Sequence, residues 1–298
     1  MVAEFLAKND PSHVQFLGRV SGGRTIVWWY PDLGSRKEMM SGNLRCMFCS
    51  QTLGGPSRTR RPVSFLGDTY RFFRCHRCKG FSLEPHIPER AQEAMYGTAY
   101  LDDGPAACSD AGDPAKFAEF IDWLRARPAL RGATLLDYGC GDRPQTLKAA
   151  KELGMNAIGV EFDKEVRALA SAYADCPVVS PEFFSNHPET VDIAFLGDVV
   201  EHVSDPRQLL HDLRSILSQD GVIYVQGPLE GARTLLHFFV SLSAYIKPDV
   251  VNSIPPYHVS LATRKSIVEL AHSVDLRIDQ LTVTEAQWPS PTLGEALA

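Results

Sequence analysis

The sequence predicts an α/β fold in which a doubly wound, mostly parallel sheet follows a small cysteine-rich module. Three observations lead to this prediction. Apolar runs of strand type alternate with stretches of helical periodicity from residue 113 onward, a glycine-rich turn follows the first of these runs, and two C-x2-C pairs of cysteines lie upstream. Together they indicate one large domain and one accessory module.

Length and composition agree with a globular protein of this kind. The chain has 298 residues, of which 44% are hydrophobic and 22% charged, and this balance excludes collagen-like, coiled-coil and wholly disordered classes. A single core rarely grows beyond about 250 to 300 residues. We therefore divide the chain into an N-terminal extension (1–40), a cysteine module (41–84), a connector (85–112) and a large domain (113–298).

No segment has the character of a membrane span or of a secretory signal. The longest weakly charged apolar run, at residues 235–246, is well short of the roughly 20 residues that cross a bilayer. Glu4, Lys8 and Asp10 interrupt the N-terminus, where a signal peptide needs a sustained apolar core. These features predict a cytoplasmic protein without a membrane span.

The net charge of −6 is the sum of two unlike parts. Residues 36–79 contain ten basic and two acidic side chains, a net charge of +8, so the other residues carry −14. A basic module of this kind can attract an anionic ligand or an acidic surface.

The elements of the large domain follow one another in strand and helix order. Asp113 and Pro114 suit an N-cap and a first helical turn, and the apolar spacing behind them predicts a helix over 114–126. The predicted strands are 133–138, 156–162, 177–179, 191–197, 222–226 and 276–284. The predicted helices between them are 144–153, 164–174, 206–217 and 264–272, with a turn at 219–221 and an insertion at 229–257. Such units build a parallel sheet that helices cover on both faces.

Four cysteines have the spacing of a metal site. Cys46 and Cys49 form one C-x2-C pair, Cys75 and Cys78 form the other, and 25 residues separate the two pairs. Four thiolates at this spacing can close a tetrahedron around zinc, although iron accepts the same ligands. A closed set has no open coordination position, so we expect a structural zinc ion in a zinc-ribbon module.

A glycine-rich turn links the first strand of the large domain to the next helix. Gly139 and Gly141 permit a ligand to approach the backbone closely, and Glu161 ends the following strand 20 residues beyond Gly141. A carboxylate in that position accepts hydrogen bonds from ribose hydroxyls. The pattern predicts an adenosine-containing cofactor, and a dinucleotide-dependent oxidoreductase is the alternative interpretation.

Three segments resemble the class I S-adenosylmethionine-dependent methyltransferases, which have a Rossmann-like sheet. They read LLDYGCGDRP at 135–144, VEFD at 160–163 and VDIAFLGDVVEHVSDP at 191–206. The resemblance implies S-adenosyl-L-methionine as the cofactor, with Gly139 and Gly141 lining it and Glu161 on its ribose. It also implies that Asp137 lies by the methionine end and that the segment at Asp198 faces the donor methyl group.

The two cysteine pairs make the resemblance specific to one group of methyltransferases. With PYHVSLATRKSIVELA at 256–271, the whole chain is similar to bacterial zinc-ribbon methyltransferases of sugars and other small metabolites. This likeness implies a sugar or glycan hydroxyl as the acceptor.

Two features depart from the family pattern. Arg143 stands where many relatives have a third glycine, and we expect it to narrow the pocket or to contact the carboxylate end of the cofactor. No segment after Thr284 has the pattern of the family's last antiparallel strand. Either the sheet is one strand short, or residues 25–30 fill its edge.

Two histidines are candidate catalytic residues. Methyl transfer to a hydroxyl needs alignment of the oxygen with the methyl carbon and, near neutral pH, a base. Histidine suits this task because its ordinary pKa is about 6.5. His202 follows the fourth strand and His258 follows the insertion, so both are placed to contact a small-molecule acceptor.

Two other functions fit parts of the sequence. An RNA methyltransferase would use the basic module to bind phosphates and to stack on bases. The side chains for these contacts would be Arg58, Arg60, Arg61, Arg71, Arg74, Arg77, Tyr70, Phe72 and Phe73. A non-enzymatic zinc-containing scaffold with a degenerate cofactor fold would account for Arg143. The acidic large domain favours a small-molecule acceptor over nucleic acid, and the oligomeric state stays open.

Overall fold

The computed structural model describes residues 12–20, 44–57, 62–88, 95, 117–186, 190–231 and 257–285. Its strands are β1 (Ser12–Val20), β2 (Val63–Phe65), β3 (Asp68–Arg74), β4 (Phe81–Glu84), β5 (Thr134–Tyr138), β6 (Asn156–Val160), β7 (Val178–Val179), β8 (Val191–Gly197), β9 (Leu217–Pro228), β10 (Ser260–Leu261) and β11 (Leu276–Glu285). Its α-helices are α1 (Ala118–Arg125), α2 (Gln145–Glu152), α3 (Lys164–Ala174), α4 (Pro181–Asn186), α5 (Pro206–Ile216) and α6 (Arg264–Ser273). Within these ranges, no helix combines the length and the apolar character that crossing a membrane requires.

The seven-stranded sheet of the large domain confirms the predicted α/β class. Its strand order is β11-β1-β9-β8-β5-β6-β7, and the five strands from β9 to β7 pair in parallel. The chain enters this parallel part at β5, moves outward through β6 and β7, and returns to β8 and β9 on the other side. This reversal of strand order opens a crevice at the carboxyl ends of β5 and β8, where open α/β sheets bind ligands.

Strand β1 is the antiparallel strand that the sequence left unassigned. It pairs antiparallel with β9 on one side and with β11 on the other. The strand expected at residues 25–30 lies outside the described residues. The segment that enters the sheet is Ser12–Val20, and it lies between two strands and not at the edge. The pairing of β1 with β11 joins segments that are far apart in the sequence, so local sequence patterns do not predict it.

The central strands are buried on both faces. Ile193 and Phe195 of β8 pack in one core with α1 and α2, whereas Leu196 packs in a second core with α5 and α6. In the first core, Phe120 of α1 stacks on Phe195 with ring centroids 4.1 Å apart. Burial on two faces explains why β8 reads as a continuous apolar run in the sequence.

Two elements differ from the predictions by more than the position of their ends. The turn predicted at 219–221 lies inside β9, where the pairing with β8 shifts: Val191 is opposite Leu217, but Ile193 is opposite Val222. The extra residues of β9 are accommodated as an irregularity in the strand, so no separate turn forms. Helix α4 was not predicted, because its six residues are too short to show a helical period.

The second sheet contains the cysteine module and one strand of the large domain. Its order is β10-β4-β3-β2, and Leu261 of β10 pairs with Phe81 of β4. Phe48, in the first cysteine turn, belongs to the same apolar cluster as Ile267 of α6. The module and the large domain therefore share a sheet and a core, and the division of the chain at residues 84 and 112 stays a prediction.

Thr263 links the cysteine module to α6. Its hydroxyl accepts a hydrogen bond from the Ser266 amide (3.0 Å), which caps α6, and donates one to the carbonyl of Cys78 (3.0 Å). The Ser266 hydroxyl accepts a bond from the Thr263 amide (2.8 Å) and completes a capping box. Because Thr263 is buried, water has little access to replace these bonds.

We expect Thr263→Ala to lower the free energy of unfolding by about 1 to 3 kcal/mol, since it removes a helix cap and leaves a buried carbonyl without its donor. Denaturant titration of the full chain measures this change. Thr263→Ser is the matched control, because it keeps the hydroxyl. Equal stability of the alanine and serine variants would contradict the linking role.

Candidate functional site

Three predicted cofactor-binding residues lie at the carboxyl ends of neighbouring strands. Asp137 is near the end of β5, Glu161 directly follows β6, and Asp198 directly follows β8. In the sheet, β5 lies between β6 and β8. The three carboxylates therefore line the edge of the sheet at which the strand order reverses.

The loop after β5 has the backbone geometry that its glycines predict. Gly139 and Gly141 have positive φ angles of 73° and 68°, which side chains rarely adopt. A Cβ at Gly139 would lie 2.8 Å from Cγ2 of Val199, whereas a Cβ at Gly141 would meet no described atom within 4 Å. The amides of Gly139 and Cys140 donate to the Val160 carbonyl (2.7 and 3.1 Å). The loop is thus fixed to β6 and leaves a cradle at Gly141, shortly before α2.

Glu161 contacts this loop directly. Its Oε2 accepts a hydrogen bond from the Gly141 amide (3.0 Å), and its Oε1 accepts one from the Phe162 amide (2.7 Å). Burial raises the pKa of the carboxyl, whereas the amide donors favour its ionised form. A carboxylate oxygen can accept two hydrogen bonds, and among the described residues Oε2 accepts one. Oε2 therefore has capacity to accept a bond from a ligand hydroxyl.

Asp137 and Asp198 are held by neighbouring elements. Asp137 is 4% exposed and accepts a hydrogen bond from the Thr146 hydroxyl of α2. Asp198 has a φ of 53°, and its amide donates to the Gln226 carbonyl of β9 (2.8 Å). A left-handed backbone is uncommon for residues other than glycine. It changes the chain direction directly after β8 and starts the turn that contains His202.

Arg143 is exposed beside the cradle, and its expected contact with the carboxylate end of the cofactor stays a prediction. Its side chain is 61% exposed, and its Nε lies 3.7 Å from the Asp142 carboxylate. The guanidinium therefore extends into solvent beside an acidic neighbour, where its charge has little effect on the stability of the fold.

The two predicted catalytic histidines, His202 and His258, lie side by side. Their ring centroids are 4.7 Å apart, and the ring planes meet at 78°. Nδ1 of His202 is 2.9 Å from the Tyr257 carbonyl oxygen, and Nδ1 of His258 is 2.5 Å from Oε2 of Glu230. Burial and the neighbouring His258 lower the pKa of His202 to about 3, so its ring is neutral at pH 7. Because a carbonyl accepts only, the proton is on Nδ1 and Nε2 presents a lone pair.

Glu201 adds a buried carboxyl to the histidine pair. It is 4% exposed, its Oε1 lies 4.0 Å from Nε2 of His202, and this oxygen has no hydrogen-bond partner among the described residues. Burial raises the pKa of Glu201 to about 8, and the Asp198 carboxylate adds to the rise. One ligand atom each of Glu201, His202 and His258 lies within 4.8 Å of the other two. We call these three residues the acceptor-side group, after the sequence-based prediction that the two histidines contact an acceptor.

Val199 connects the loop that contains Gly139 and Gly141, called the glycine loop below, to the acceptor-side group. It is the residue that a Cβ at Gly139 would meet, and it lies three positions before His202. The glycine loop and the histidine pair therefore lie close to the same short turn, which follows β8.

Sequence reasoning missed Glu230, and it placed Glu201 only in the segment after β8 that is expected to face the donor methyl group. Glu230 lies two residues after β9, so the rule that ligand-binding residues follow parallel strands could have found it. It was overlooked because residues 229–257 were interpreted as an insertion. Glu201 is within a quoted motif, but its burial depends on β9 and β10, which the sequence does not place around it.

The four cysteines also lie together. All four sulfur atoms lie within 4.8 Å of one another, and the closest pairs are Cys46 with Cys78 (3.5 Å) and Cys49 with Cys75 (3.6 Å). Sulfurs around a tetrahedral zinc ion, with bonds of about 2.3 Å, are about 3.8 Å apart. The donor set therefore fits zinc, and it does not exclude iron.

Both C-x2-C pairs adopt the same turn. The residue after each pair, Ser50 or Lys79, has a positive φ (57° and 69°). The amide of Ser50 donates to the Cys46 carbonyl (2.9 Å), and that of Lys79 donates to the Cys75 carbonyl (3.1 Å). Two copies of one turn thus present two thiols each to a common point.

Aromatic side chains of the cysteine module belong to its core. Tyr70 is 1% exposed, and Phe72 and Phe73 are partly buried against apolar clusters. Arg77 pairs with Glu269 of α6 (2.9 Å). Tyr70 is therefore unavailable for stacking on a nucleic-acid base. The arginines that fall outside the described residues are Arg58, Arg60 and Arg61.

Comparison with protein families gives one match across the large domain. A family model described as a methyltransferase domain matches residues 112–281. This range is more than half of the chain and includes β5 to β9 with the glycine loop and the acceptor-side group.

Curated relatives match a shorter stretch. A ubiquinone biosynthesis O-methyltransferase from Xanthomonas campestris pv. campestris is 28% identical over 131 residues, which are 41% of this chain and 53% of the relative. A protein of the same name from Rhizobium rhizogenes is 31% identical over 107 residues, 34% of this chain and 42% of the relative. The chain thus spans about half the length of the curated relatives it matches.

Two similar solved structures each match just over half of this chain. A magnesium protoporphyrin IX methyltransferase from Synechocystis PCC 6803 with bound SAH has a TM-score of 0.43 and 14% identity, over 55% of this chain and 73% of that one. A mycolic acid cyclopropane synthase complexed with SAH and CTAB has a TM-score of 0.42 and 18% identity, over 55% and 61%.

Proposed function

This chain belongs to the methyltransferase-domain family, and from that premise we propose that it transfers the methyl group of S-adenosylmethionine to a hydroxyl of a small molecule, a sugar or glycan. One observation carries the proposal. The glycine loop, which Glu161 contacts, and the pair of His202 and His258 both border the turn at Val199. A methyl donor in the first place and an acceptor in the second would be neighbours.

The cradle at the glycine loop is where we propose that the cofactor binds. When bound, S-adenosylmethionine supplies a methyl group on a positively charged sulfonium. Gly139 and Gly141 would line it with backbone, and Oε2 of Glu161 would accept a bond from a ribose hydroxyl. Asp137 would lie at the methionine end, and Asp198 would border the donor methyl group. The open space at Gly141 fits a ligand of this kind.

The histidine pair would contact the acceptor hydroxyl. Nε2 of His202 can accept a hydrogen bond from that hydroxyl, because Nδ1 is committed to the Tyr257 carbonyl. Glu230 orients His258 through the bond to its Nδ1. Alignment of the oxygen with the methyl carbon is the main contribution that a protein makes to such a displacement.

A phenolic hydroxyl is the second candidate acceptor. The curated relatives are named ubiquinone biosynthesis O-methyltransferases, and their name supports oxygen as the atom that is methylated. Nucleic acid is less favoured, because Tyr70 is buried and Arg77 is paired with Glu269.

A mass-spectrometric screen tests the proposed function. The full chain is incubated with S-adenosylmethionine and with nucleotide sugars, glycans, phenols and RNA fragments, and each mixture is searched for an added methyl group. We expect addition to a sugar or glycan hydroxyl. Methylation confined to phenols or to RNA would support those alternatives, and no methylation with no cofactor binding would contradict the proposal.

We further propose that Cys46, Cys49, Cys75 and Cys78 bind one structural zinc ion. Elemental analysis of the purified protein should give about one zinc per chain, and the double variant Cys46→Ser/Cys75→Ser should lose it and unfold at lower temperature. Cys176→Ala is the control, because Cys176 lies in the other core. A metal-free wild type, or bound iron, would refute zinc.

Glu161→Ala should weaken S-adenosylmethionine binding about 10- to 100-fold, because hydrogen bonds to a charged group contribute about 1.5 to 3 kcal/mol. Isothermal titration calorimetry measures the affinity. Glu165→Ala removes the same charge from an exposed position in the first turn of α3 and should bind as the wild type does. The ribose role fails if the two variants bind equally well.

His202→Ala should reduce turnover of the identified acceptor about 10²- to 10⁴-fold, the usual effect of removing a group that assists proton transfer. Its affinity for the cofactor should stay within about twofold, because His202 is on the acceptor side. His272→Ala, at the exposed end of α6, is the control. Unchanged turnover of His202→Ala would assign His202 to structure alone.

A further inference from the structure

We infer that the acceptor-side group of Glu201, His202 and His258 is a binding site for a divalent transition-metal cation, separate from the four cysteines. Two imidazoles and one carboxylate are a ligand set that proteins use for zinc and for other first-row cations. The inference rests on the proposed function in one respect only, the identity of the acceptor that would complete the coordination.

The hydrogen bonds of the two histidines favour metal binding at Nε2. His202 uses Nδ1 toward the Tyr257 carbonyl, and His258 uses Nδ1 toward the Glu230 carboxylate. Metal-binding histidines commonly donate the second ring N–H to a carbonyl or a carboxylate, which fixes the tautomer and the ring orientation. Both rings of the pair therefore have the supporting contacts of ligands.

Glu201 supplies the independent observation. A buried carboxyl oxygen is costly unless a partner satisfies it, and Oε1 of Glu201 has no hydrogen-bond partner in the described part of the chain. This oxygen lies 4.0 Å from Nε2 of His202. A cation between the two atoms would satisfy both.

The ligand atoms of the group are somewhat farther apart than ligands around a bound metal, so a cation would fit after a small movement of the side chains toward one another. Ligands about 2.1 Å from a tetrahedral metal are about 3.4 Å apart, and the ligand atoms of the group lie within 4.8 Å of one another. The group offers three protein ligands, whereas the cysteines offer four. Three ligands leave a coordination position for a further oxygen, as in catalytic zinc sites.

With the cation bound, Nε2 of His202 is a metal ligand, so His202 would act on the acceptor through the cation and not by a direct hydrogen bond to the hydroxyl. An acceptor hydroxyl in the open coordination position would lose its proton more readily. Coordination to a divalent cation lowers the pKa of a bound oxygen acid by several units. The hydroxyl proton passes to solvent, the oxygen forms a bond to the methyl carbon, and the carbon–sulfur bond breaks with its electron pair remaining on sulfur. Charge and atoms balance without an oxidant or reductant.

Cobalt(II) is the probe that tests the site. The full-length protein, with zinc in its cysteines confirmed by elemental analysis, is titrated with Co²⁺ by calorimetry and by visible absorption, without cofactor or acceptor. We expect one saturable site, with absorption bands of cobalt bound by nitrogen and oxygen. The variants His258→Ala and Glu201→Gln should each weaken binding at least about tenfold, and His272→Ala should not.

Three results would overturn the inference. The first is that Co²⁺ shows no saturable binding. The second is that the wild type and both ligand variants bind Co²⁺ with equal affinity. The third is that the only absorption bands are those of cobalt bound by thiolate, which would show that the ion is at the cysteines. Circular dichroism of each variant distinguishes loss of a ligand from loss of fold. The titration needs no methyl donor, so its result does not depend on whether the protein is a methyltransferase. Likewise, failure to bind Co²⁺ would not disprove methyl transfer.

Discussion

The backbone carbonyl of Glu201 accepts hydrogen bonds from the amides of Val259 (2.8 Å) and Ser260 (3.2 Å), and much of the structure depends on these two bonds. They hold residues 257–263 against the turn after β8. The same segment puts His258 beside His202 and continues as β10 into the sheet of the cysteine module. Residues 257–263 therefore both complete the acceptor-side group, through His258, and dock the module, through β10.

Docking of the cysteine module depends on buried contacts and little on charge. The ion pair of Arg77 with Glu269 has side chains that are 57% and 21% exposed, and such pairs contribute about 0 to 1 kcal/mol. The Thr263 bond to Cys78 and the apolar cluster around Phe48 are buried. In the described part of the module, this ion pair is thus a minor source of stability. A zinc ion in the cysteines would instead order the loops that carry Phe48.

Local features of the sequence predicted most of the site, and long-range pairings account for what was missed. The glycine loop, Glu161 and Asp198 follow from apolar runs and the residues that end them, because strand ends and tight turns are encoded within about ten residues. The position of β1 depends on its pairing with β11 at the far end of the chain, and the burial of Glu201 depends on strands that come later. Neither the position of β1 nor the burial of Glu201 produces a local pattern in the sequence. The fit of His258 to His202 likewise follows from tertiary contacts, although both residues were candidates on their positions alone.

The proposed function requires that the methyl donor and the acceptor bind next to each other at the turn after β8. A crystal structure of the full chain with S-adenosylhomocysteine tests it most directly. We expect the ligand along Gly139 and Gly141, with its ribose hydroxyls on Glu161 and its sulfur facing His202 and His258. A ligand bound with its ribose away from Glu161, or with its sulfur directed away from the histidine pair, would rule out this arrangement.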